Sequence, residues 1–220
     1  MKASDAVLTP IHREGHLFVA LFFVASLVLF MIAEPLGWIG MVATAWCVYF
    51  FRDPERVVPR QEGVMVAPAD GVVSAVSAAA PPPELDMGSE PVTRISIFLS
   101  VFDVHVNRVP AAGSIDKLIY VPGRFLNAAD EAASHENERQ LVAMTTEDGA
   151  RIAFAQVAGL VARRILCDLK VDQKVARGER FGLIRFGSRT DIYLAPKQEA
   201  MVSEGQTMIG GETVIARMKA

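Results

Sequence analysis

Several stretches of the sequence combine polar residue types that could carry out chemistry. One of them, residues 185–191, places the pair Gly187-Ser188 between two runs of strand character, which on its own is typical of a turn. Ser188 could act as a nucleophile only with a base and an orienting acid nearby. The pair is not part of a G-x-S-x-G nucleophile elbow, so the common hydrolase motif is absent.

A base and an acid for such a serine are available earlier in the chain. Alternation along Ile95–Val106 would put His105 on the same face as Asp103. A lone histidine in a strand is more often packed or solvated, but the polar neighbours favour a site here. Asp70 directly precedes Gly71, where an acid usually forms a turn, and it could equally orient a histidine.

A further polar stretch, residues 122–139, is dense in charge and contains His135. Such a stretch is ordinarily a solvated loop. A pocket for a polar head group would need the same combination of cations and hydrogen-bonding side chains.

The residues that precede these stretches form two apolar runs. Leu17–Ala33 and Leu36–Phe51 carry no charged residue, and Glu34-Pro35 separates them. At about 1.5 Å per residue each run would reach about 24–26 Å as a helix, less than the ~30 Å hydrocarbon core of a bilayer. We therefore expect a helical hairpin that enters one leaflet or barely crosses the membrane.

The charges around the two runs indicate an orientation. Arg13 precedes them, Arg52 and Arg56 follow them, and only Glu34 lies between them. By the positive-inside rule, both ends and the rest of the chain lie on the cytoplasmic side. The alternatives are a hairpin buried in a soluble core and a secretory signal peptide, which the second apolar run disfavours.

The remaining residues, 57–220, have the texture of a mainly β domain. The predicted strands are Val64–Val66, Gly71–Val76, Thr93–Ser100, Ser114–Tyr120, Leu141–Thr146, Arg151–Val157, Phe181–Ile184, Asp191–Leu194 and Thr213–Arg217. Residues 147–149 predict a hairpin turn, residues 127–139 a short helix and residues 159–169 a helical turn. Residues 171–184 resemble the repeats of lipoyl- and biotinyl-carrier sandwiches. We expect a β-sandwich or partly open barrel behind an N-terminal hairpin of residues 1–56.

Composition narrows the possible functions. With 51% hydrophobic and 21% charged residues the chain is not a disordered one. The 22 Lys and Arg against 25 Asp and Glu give a net charge of −3, which argues against a nucleic-acid partner. Two distant cysteines, Cys47 and Cys167, fit neither a disulfide scaffold nor a metal site, and indicate a reducing compartment.

Seven short blocks, taken in their order along the chain, carry a resemblance to a known family. They are residues 50–56, 67–71, 98–110, 123–127, 134–139, 158–165 and 186–191. Together they closely resemble the short form of the phosphatidylserine decarboxylase proenzymes, over nearly the whole chain. Seven blocks in a fixed order are far more specific than any single motif.

The resemblance implies a chain that cuts itself between Gly187 and Ser188. The products are a β chain, residues 1–187, and an α chain, residues 188–220, held together as a heterodimer; a higher homo-oligomer stays open. Ser188 becomes a covalent pyruvoyl group, which forms a Schiff base with phosphatidylserine and releases CO2 and phosphatidylethanolamine. Neither a metal nor pyridoxal phosphate is expected. The implied location is the cytoplasmic face of a bacterial cell membrane.

The resemblance also implies roles for particular residues. Asp70 and Ser188 match the self-cleavage residues of the family directly. The long bacterial form has an H-x-x-H pattern where this chain has His105 and Arg108, so the assignment of His105 as the base is an inference. Arg189 stands where that form has a hydroxyl residue. The implied ligands of the lipid phosphate or carboxylate are Arg52, Arg56, Arg124, Arg139 and His135.

Three other functions stay open on the residues alone. A membrane-tethered serine hydrolase using Ser188 and His105 would keep an intact chain and react with fluorophosphonate probes. A carrier domain would need a modifiable lysine at a hairpin tip, a setting that Lys170 and Lys174 lack. A pyruvoyl decarboxylase of soluble amino acids would share the chemistry but would not need residues 17–51.

Overall fold

A computed structural model describes residues 9–128, 130, 132–160, 164–185 and 188–218. Gly187, for which the sequence predicts self-cleavage, lies outside the described residues, as do residues 161–163 and 186 of the resemblance blocks. The chain divides into two compact units, one ending at Glu55 and one beginning at Arg56.

The first unit is the predicted helical hairpin. A 3₁₀ turn, Arg13–Gly15, leads into helix α1, His16–Ile32, and helix α2 follows as Glu34–Phe50. Between them Ala33 is extended. Pro35 occupies the first turn of α2, where its missing N–H removes no intrahelical hydrogen bond.

The hairpin is polar between its helices and apolar outside. The hydroxyls of Ser26 and Thr44 lie 3.1 Å apart, and each is also bonded to the carbonyl four residues earlier in its own helix. A Cβ on Gly37 would lie 2.1 Å from the Phe30 ring, so glycine allows the close approach of the helices. The outward side chains that are most exposed include Leu17, Met31, Trp38 and Val42. Small and polar residues inside with apolar residues outside are typical of helices packed in lipid.

Within the described residues, one helical stretch is long and apolar enough to cross a membrane by length and composition alone. It is Arg13–Ile32, with 20 residues. The second helix, α2, is equally uncharged after Glu34 but has only 17 residues. The N-terminal apolar helix of the prediction is therefore confirmed.

The second unit is mainly β, which confirms the predicted class. Its strands are β1 Val64–Val66, β2 Gly71–Ala79, β3 Val92–Leu99, β4 Val106–Arg108, β5 Gly113–Val121, β6 Arg139–Thr146, β7 Arg151–Val157, β8 Ile165–Cys167, β9 Lys174–Val175, β10 Arg180–Ile184, β11 Ser188–Tyr193, β12 Gln198–Ala200, β13 Thr207–Met208 and β14 Val214–Met218. A 3₁₀ turn, Pro83–Leu85, and a short helix α3, Ala133–Glu136, complete the unit.

These strands form one large sheet and two small ones. The large sheet is antiparallel and curled, with the order β13-β2-β3-β11-β7-β6-β5-β9. The small sheets have the orders β1-β14-β12 and β4-β10-β8. Strand β11 lies inside the large sheet, paired with β3 on one side and β7 on the other.

Both faces of the large sheet are buried. One face packs side chains such as Ile97 and Phe154 against residues of the small sheets, and the Phe154 and Phe181 rings meet edge to face at 5.2 Å. Burial of each such ring contributes about 1.5–3 kcal/mol. The opposite face packs Tyr193 and its neighbours against Leu85 and Ala133. Because successive residues of a strand point to opposite faces, Ile192 and Tyr193 belong to different cores.

The predicted strands are all present, with ends that differ by at most a few residues. The largest differences are of three residues: β11 begins at Ser188 instead of Asp191, and β2 ends at Ala79 instead of Val76. Strands β4, β8, β9, β12 and β13, each of two or three residues, were not predicted, since runs of this length carry little periodic signal. The helical turn predicted for residues 159–169 is wrong in its described part, since Ile165–Cys167 is a strand that pairs with β10.

Candidate active site

The polar blocks found in the sequence meet at one end of the large sheet. One row of residues, paired across neighbouring strands, consists of Val72, Phe98, Arg189, Val157, Arg139 and Val121. Each lies at or next to an end of its strand. Because neighbouring antiparallel strands begin and end alternately at the same end of a sheet, Asp70, Ser188 and Arg139 lie at the end where β3 finishes with Leu99.

Ser188 is the first residue of β11 and is fully buried. Its backbone pairs with Leu99, and strand alternation places its side chain on the same face as Thr190 and Ile192, toward the small sheets. The Ser188 Oγ has no hydrogen-bond partner in the described part of the chain. A buried hydroxyl without a partner costs about 1–3 kcal/mol, and such a group calls for a functional explanation.

His105 follows a tight turn between β3 and β4, so the alternation assumed along Ile95–Val106, past the end of the predicted strand Thr93–Ser100, is wrong. Strand β3 ends at Leu99, and the Asp103 carboxylate accepts the Ser100 N–H at 2.7 Å, which closes the turn. The His105 ring is buried, with its Nδ1 2.9 Å from the Asp103 carbonyl oxygen. Because a carbonyl can only accept, Nδ1 carries the proton and Nε2 carries the lone pair. His105 can therefore take up a proton at Nε2.

Two contacts relate the segment that carries His105 to β10 and β11. The Ile184 N–H, at the end of β10, donates to the His105 carbonyl at 3.4 Å, and Ser188, the first residue of β11, pairs with Leu99. The chain from Leu99 to His105 therefore contacts both the end of β10 and the start of β11.

Asp70 lies at this same end of the large sheet, immediately before β2. Gly71 has a φ of 146°, and a Cβ there would lie 2.1 Å from the Phe98 carbonyl oxygen, so only glycine allows this approach. The Asp70 carboxylate accepts from Arg56 Nη2 at 2.7 Å and from the Gly210 N–H at 2.8 Å. Burial raises the pKa of Asp70, while Arg56 and the Gly210 N–H act in the opposite direction. Each carboxylate oxygen is held by a partner other than His105.

The opposite face of β11 carries a buried ionic cluster that sequence reasoning missed. The Arg189 Nε lies 2.9 Å from Asp191 Oδ1, and another guanidinium nitrogen donates to the Ala128 carbonyl at 3.0 Å. Ser134 Oγ donates to Asp191 Oδ2 at 3.0 Å and accepts from Arg94 Nη1 at 3.1 Å. Through these bonds the cluster links Ala128 and helix α3 to Arg189, the residue that follows Ser188, and to Asp191. Its members come from distant parts of the chain, so no local pattern announces it.

We expect Asp191→Asn to lower the free energy of unfolding by about 3–5 kcal/mol, because it leaves buried arginines without a countercharge. Urea denaturation in a Ser188→Ala background measures the difference on chains of the same length. Glu90→Gln, at an exposed position, is the control and should change stability by less than about 0.5 kcal/mol. Equal stabilities of the Asp191 and Glu90 variants would contradict a structural role for the cluster.

Three of the five residues predicted to hold a lipid headgroup, Arg124, His135 and Arg139, have different surroundings. Arg124 is exposed and pairs with Glu136 at 3.1 Å, and His135 is also exposed. Arg139 is buried, and it donates to Glu84 Oε1 at 2.8 Å and to the His135 carbonyl. Arg124 and His135 can therefore reach a ligand, whereas the Arg139 guanidinium is engaged in holding the loop.

Two buried amides lie on the Ser188 face, and the sequence reasoning noted only one of them, Asn107, as a polar neighbour of His105. Gln156 lies opposite Thr190 across β7 and β11, and its Nε2 donates to Asn107 Oδ1 at 2.8 Å. The signal of Gln156 in the sequence is slight: it is one amide near the end of the mostly apolar strand β7. Arg108, at the position of the family's second histidine, is buried and donates to the Gly178 carbonyl at 3.0 Å.

A buried serine that begins a central strand and a buried histidine in the connection that follows the neighbouring strand are side chains of the kind that enzymes use in catalysis. A sequence model of the family "Phosphatidylserine decarboxylase" matches residues 43–216. The phosphatidylserine decarboxylase proenzyme of Cereibacter sphaeroides is 57% identical over 95% of this chain and 90% of its own length. That of Paramagnetospirillum magneticum is 57% identical over 94% and 86%, and that of Rickettsia typhi 52% over 98% and 94%. The chain belongs to the phosphatidylserine decarboxylase family and is a carboxy-lyase, which confirms the resemblance drawn from the seven blocks.

Proposed function

We propose that this enzyme decarboxylates phosphatidylserine to phosphatidylethanolamine and CO2 after cutting its own chain between Gly187 and Ser188. The relatives at 52–57% identity are named as proenzymes, which supports a processing step. The observation that carries the proposal is the buried Ser188 Oγ at the start of β11, which has no hydrogen-bond partner among the residues that the structure describes.

In self-cleavage Ser188 acts first as the nucleophile, and its Cβ then loses the Gly187 carboxylate as the leaving group. Its Oγ attacks the Gly187 carbonyl carbon, and the C–N bond breaks, so that an ester replaces the amide and residue 188 gains a free amine. Loss of the Ser188 α proton expels the Gly187 carboxylate from Cβ. The resulting dehydroalanine takes up water and releases ammonia, which leaves a pyruvoyl group at the start of the α chain.

His105 is the base that we propose for this step. Its Nδ1–H is held by the Asp103 carbonyl, which leaves the Nε2 lone pair to accept the Ser188 hydroxyl proton. Asp70 lies at the same edge of the sheet, where its negative charge would stabilise the histidine once it is protonated. The Arg56 partner keeps part of that charge balanced in the uncut chain.

The residues around position 188 suit a pyruvoyl group. The Ser188 side chain is buried on a central strand, and its Oγ makes no hydrogen bond to any residue that the structure describes. A pyruvoyl group held at this position would supply an electrophilic carbonyl for the lipid amine and an acceptor for the electron pair of the C–C bond to the carboxylate. His105 is the residue that we propose for returning a proton to the substrate, and its buried surroundings would limit access of water.

The two chains would remain together because their strands interlock. The α chain, residues 188–220, supplies β11 through β14. Strand β11 pairs with β3 and β7, β13 with β2, and β14 with β1, so every sheet contact of these strands except β12–β14 joins the two chains.

The N-terminal hairpin supports a location at the membrane, on the cytoplasmic side that the basic flanks indicate. A lipid substrate presents its serine at the headgroup plane, so an enzyme held at that plane meets the substrate without extracting it from the bilayer. Arg124 and His135, exposed on the loop before β6, are the side chains that we propose for the phosphate. Arg139 positions that loop by holding the His135 carbonyl.

Deletion of residues 1–51 is expected to release a body that stays in the supernatant and still cuts itself, because the second unit contains every proposed cleavage residue. Sedimentation with and without detergent, followed by gel analysis of cutting, measures both properties. Quantitative recovery of the full chain in a detergent-free soluble fraction would count against the membrane location.

Two measurements on the wild-type enzyme test the proposed function. An intact-mass spectrum under denaturing conditions should show two pieces, residues 1–187 and 188–220, with the second blocked at its first residue. Borohydride added with phosphatidylethanolamine should attach the lipid amine to the smaller piece. An active enzyme whose chain stays whole, with Ser188 unmodified, would overturn the mechanism.

A further inference from the structure

Two buried amide side chains, Gln156 and Asn107, form a hydrogen-bonded pair on the face of the sheet toward which Ser188 points. Gln156 is opposite Thr190, which is two residues beyond Ser188 on the same face. Asn107 comes from β4, and both amide side chains are fully buried. The Gln156 Nε2 donates to the Leu166 carbonyl at 3.1 Å and to Asn107 Oδ1 at 2.8 Å.

These two hydrogen bonds determine the direction of each amide. Because the Leu166 carbonyl can only accept, it selects the NH2 end of Gln156, and that NH2 in turn selects the oxygen of Asn107. The Asn107 Nδ2 is thereby left with its donor hydrogens and, within the described ranges, with no acceptor. A buried amide donor without an acceptor is costly, and here it points to an oxygen that arrives with a ligand.

On this face Thr190, two residues beyond Ser188, Gln156, opposite Thr190, and Asn107 carry neutral polar groups. Two buried cations, Arg94 and Arg189, lie on the opposite face with Asp191, and the buried Arg108, next to Asn107 in β4, donates to the Gly178 carbonyl. A cation would stabilise a carboxylate in the ground state and so oppose the loss of its charge as CO2. A neutral amide can orient the same oxygen while it stabilises the ground state less. This face therefore suits a carboxylate that is about to leave.

We propose that Asn107 Nδ2 donates a hydrogen bond to the carboxylate of the serine headgroup, and that Gln156 is the positioning residue that keeps the Asn107 amide in this direction. The inference rests on the proposed function. It adds the group that recognises the carboxylate, in contrast to the groups that hold the amine or the phosphate.

The experiment separates carboxylate recognition from cutting and from amine capture. Asn107→Leu keeps the shape of the side chain but removes the donor. Intact mass reports whether the chain is cut, which also shows that the variant folds. Borohydride trapping of phosphatidylethanolamine, which has the amine but no carboxylate, reports amine capture. Release of CO2 from phosphatidylserine gives kcat/KM.

For Asn107→Leu we expect normal cutting, phosphatidylethanolamine trapping within about twofold of wild type, and a kcat/KM for phosphatidylserine lowered about 10- to 100-fold. The kcat/KM of Asn107→Asp for phosphatidylserine should be lower still, because a carboxylate oxygen that repels the substrate carboxylate replaces the donor. Gln156→Leu, which leaves the Asn107 amide free to turn, should give a smaller loss than Asn107→Leu.

The outcomes distinguish this inference from the function on which it rests. A wild-type enzyme that is not cut, or that traps no phosphatidylethanolamine, overturns the proposed function. With a wild type that does both, an Asn107→Leu variant whose kcat/KM stays within about threefold overturns only the carboxylate assignment. An uncut Asn107→Leu chain, or one that loses amine capture, also overturns it, because Asn107 would then act in another step.

Discussion

The Ser188→Ala chain is expected to remain a single polypeptide of 220 residues without decarboxylase activity. Alanine has neither the oxygen that attacks the Gly187 carbonyl nor a leaving group at Cβ, so neither cutting nor formation of the 188 carbonyl can occur. Intact mass measures the first effect and release of CO2 from phosphatidylserine the second. The loss of activity should reach the detection limit, since no other group can replace the missing carbonyl.

Two conservative variants make this result specific to the chemistry. Ser188→Thr can form the ester but yields a bulkier 2-oxobutanoyl group in a fully buried position, so slow cutting and low activity are expected. Ser188→Cys can cut through a thioester, which is a test of the acyl transfer itself. A Ser188→Ala chain that is cut normally would show that the bond is broken by another nucleophile.

His105→Gln is expected to slow self-cleavage by about 10²–10⁴-fold, so that the uncut chain accumulates. Glutamine can still meet the Asp103 carbonyl through its amide N–H, but it has no lone pair of comparable basicity to take the Ser188 proton. The fraction of uncut chain over time, from intact mass, measures the effect. His16→Gln, in the first turn of α1, removes a histidine outside the second unit and should be cut at the wild-type rate.

A different result for His105→Gln would assign His105 to a step that follows cleavage. If His105→Gln is cut normally but releases CO2 slowly, the residue acts in returning the proton to the decarboxylated carbon. Normal cutting together with normal turnover would remove His105 from the mechanism.

The longer strands were the most predictable from the sequence. Strand β7, for example, has the predicted bounds Arg151–Val157, and the turn at residues 147–149 joins it to β6 as predicted. The alternation failed at His105, because the Asp103 carboxylate closes a turn after Leu99 that interrupts the pattern. Local propensity carries no information about such a side-chain-to-backbone bond until the turn has formed.

The candidate site was less predictable than the fold. Asp70, His105 and Ser188 emerge at one edge only because β2, β3 and β11 are neighbours in the large sheet, and this order is a property of long-range pairing. The resemblance to a family assigned roles to these three residues, whereas the residues alone favoured turns at Asp70 and Ser188 and a packed or solvated histidine at position 105. Asn107 was noted only as a polar neighbour of His105 and Gln156 was not noted, since their meaning depends on which face of a strand they occupy and on the bond between them.

The position of β11 between β3 and β7 has a consequence for the lifetime of the enzyme. The uncut chain folds as one molecule, so all of its strand pairs form intramolecularly. Once the chain is cut, a molecule that unfolds releases a 33-residue piece that must return by a bimolecular encounter and insert between two strands. The durability of the mature enzyme is therefore governed by its unfolding rate, and heat inactivation should be irreversible on dilution, whereas the Ser188→Ala precursor should be able to renature.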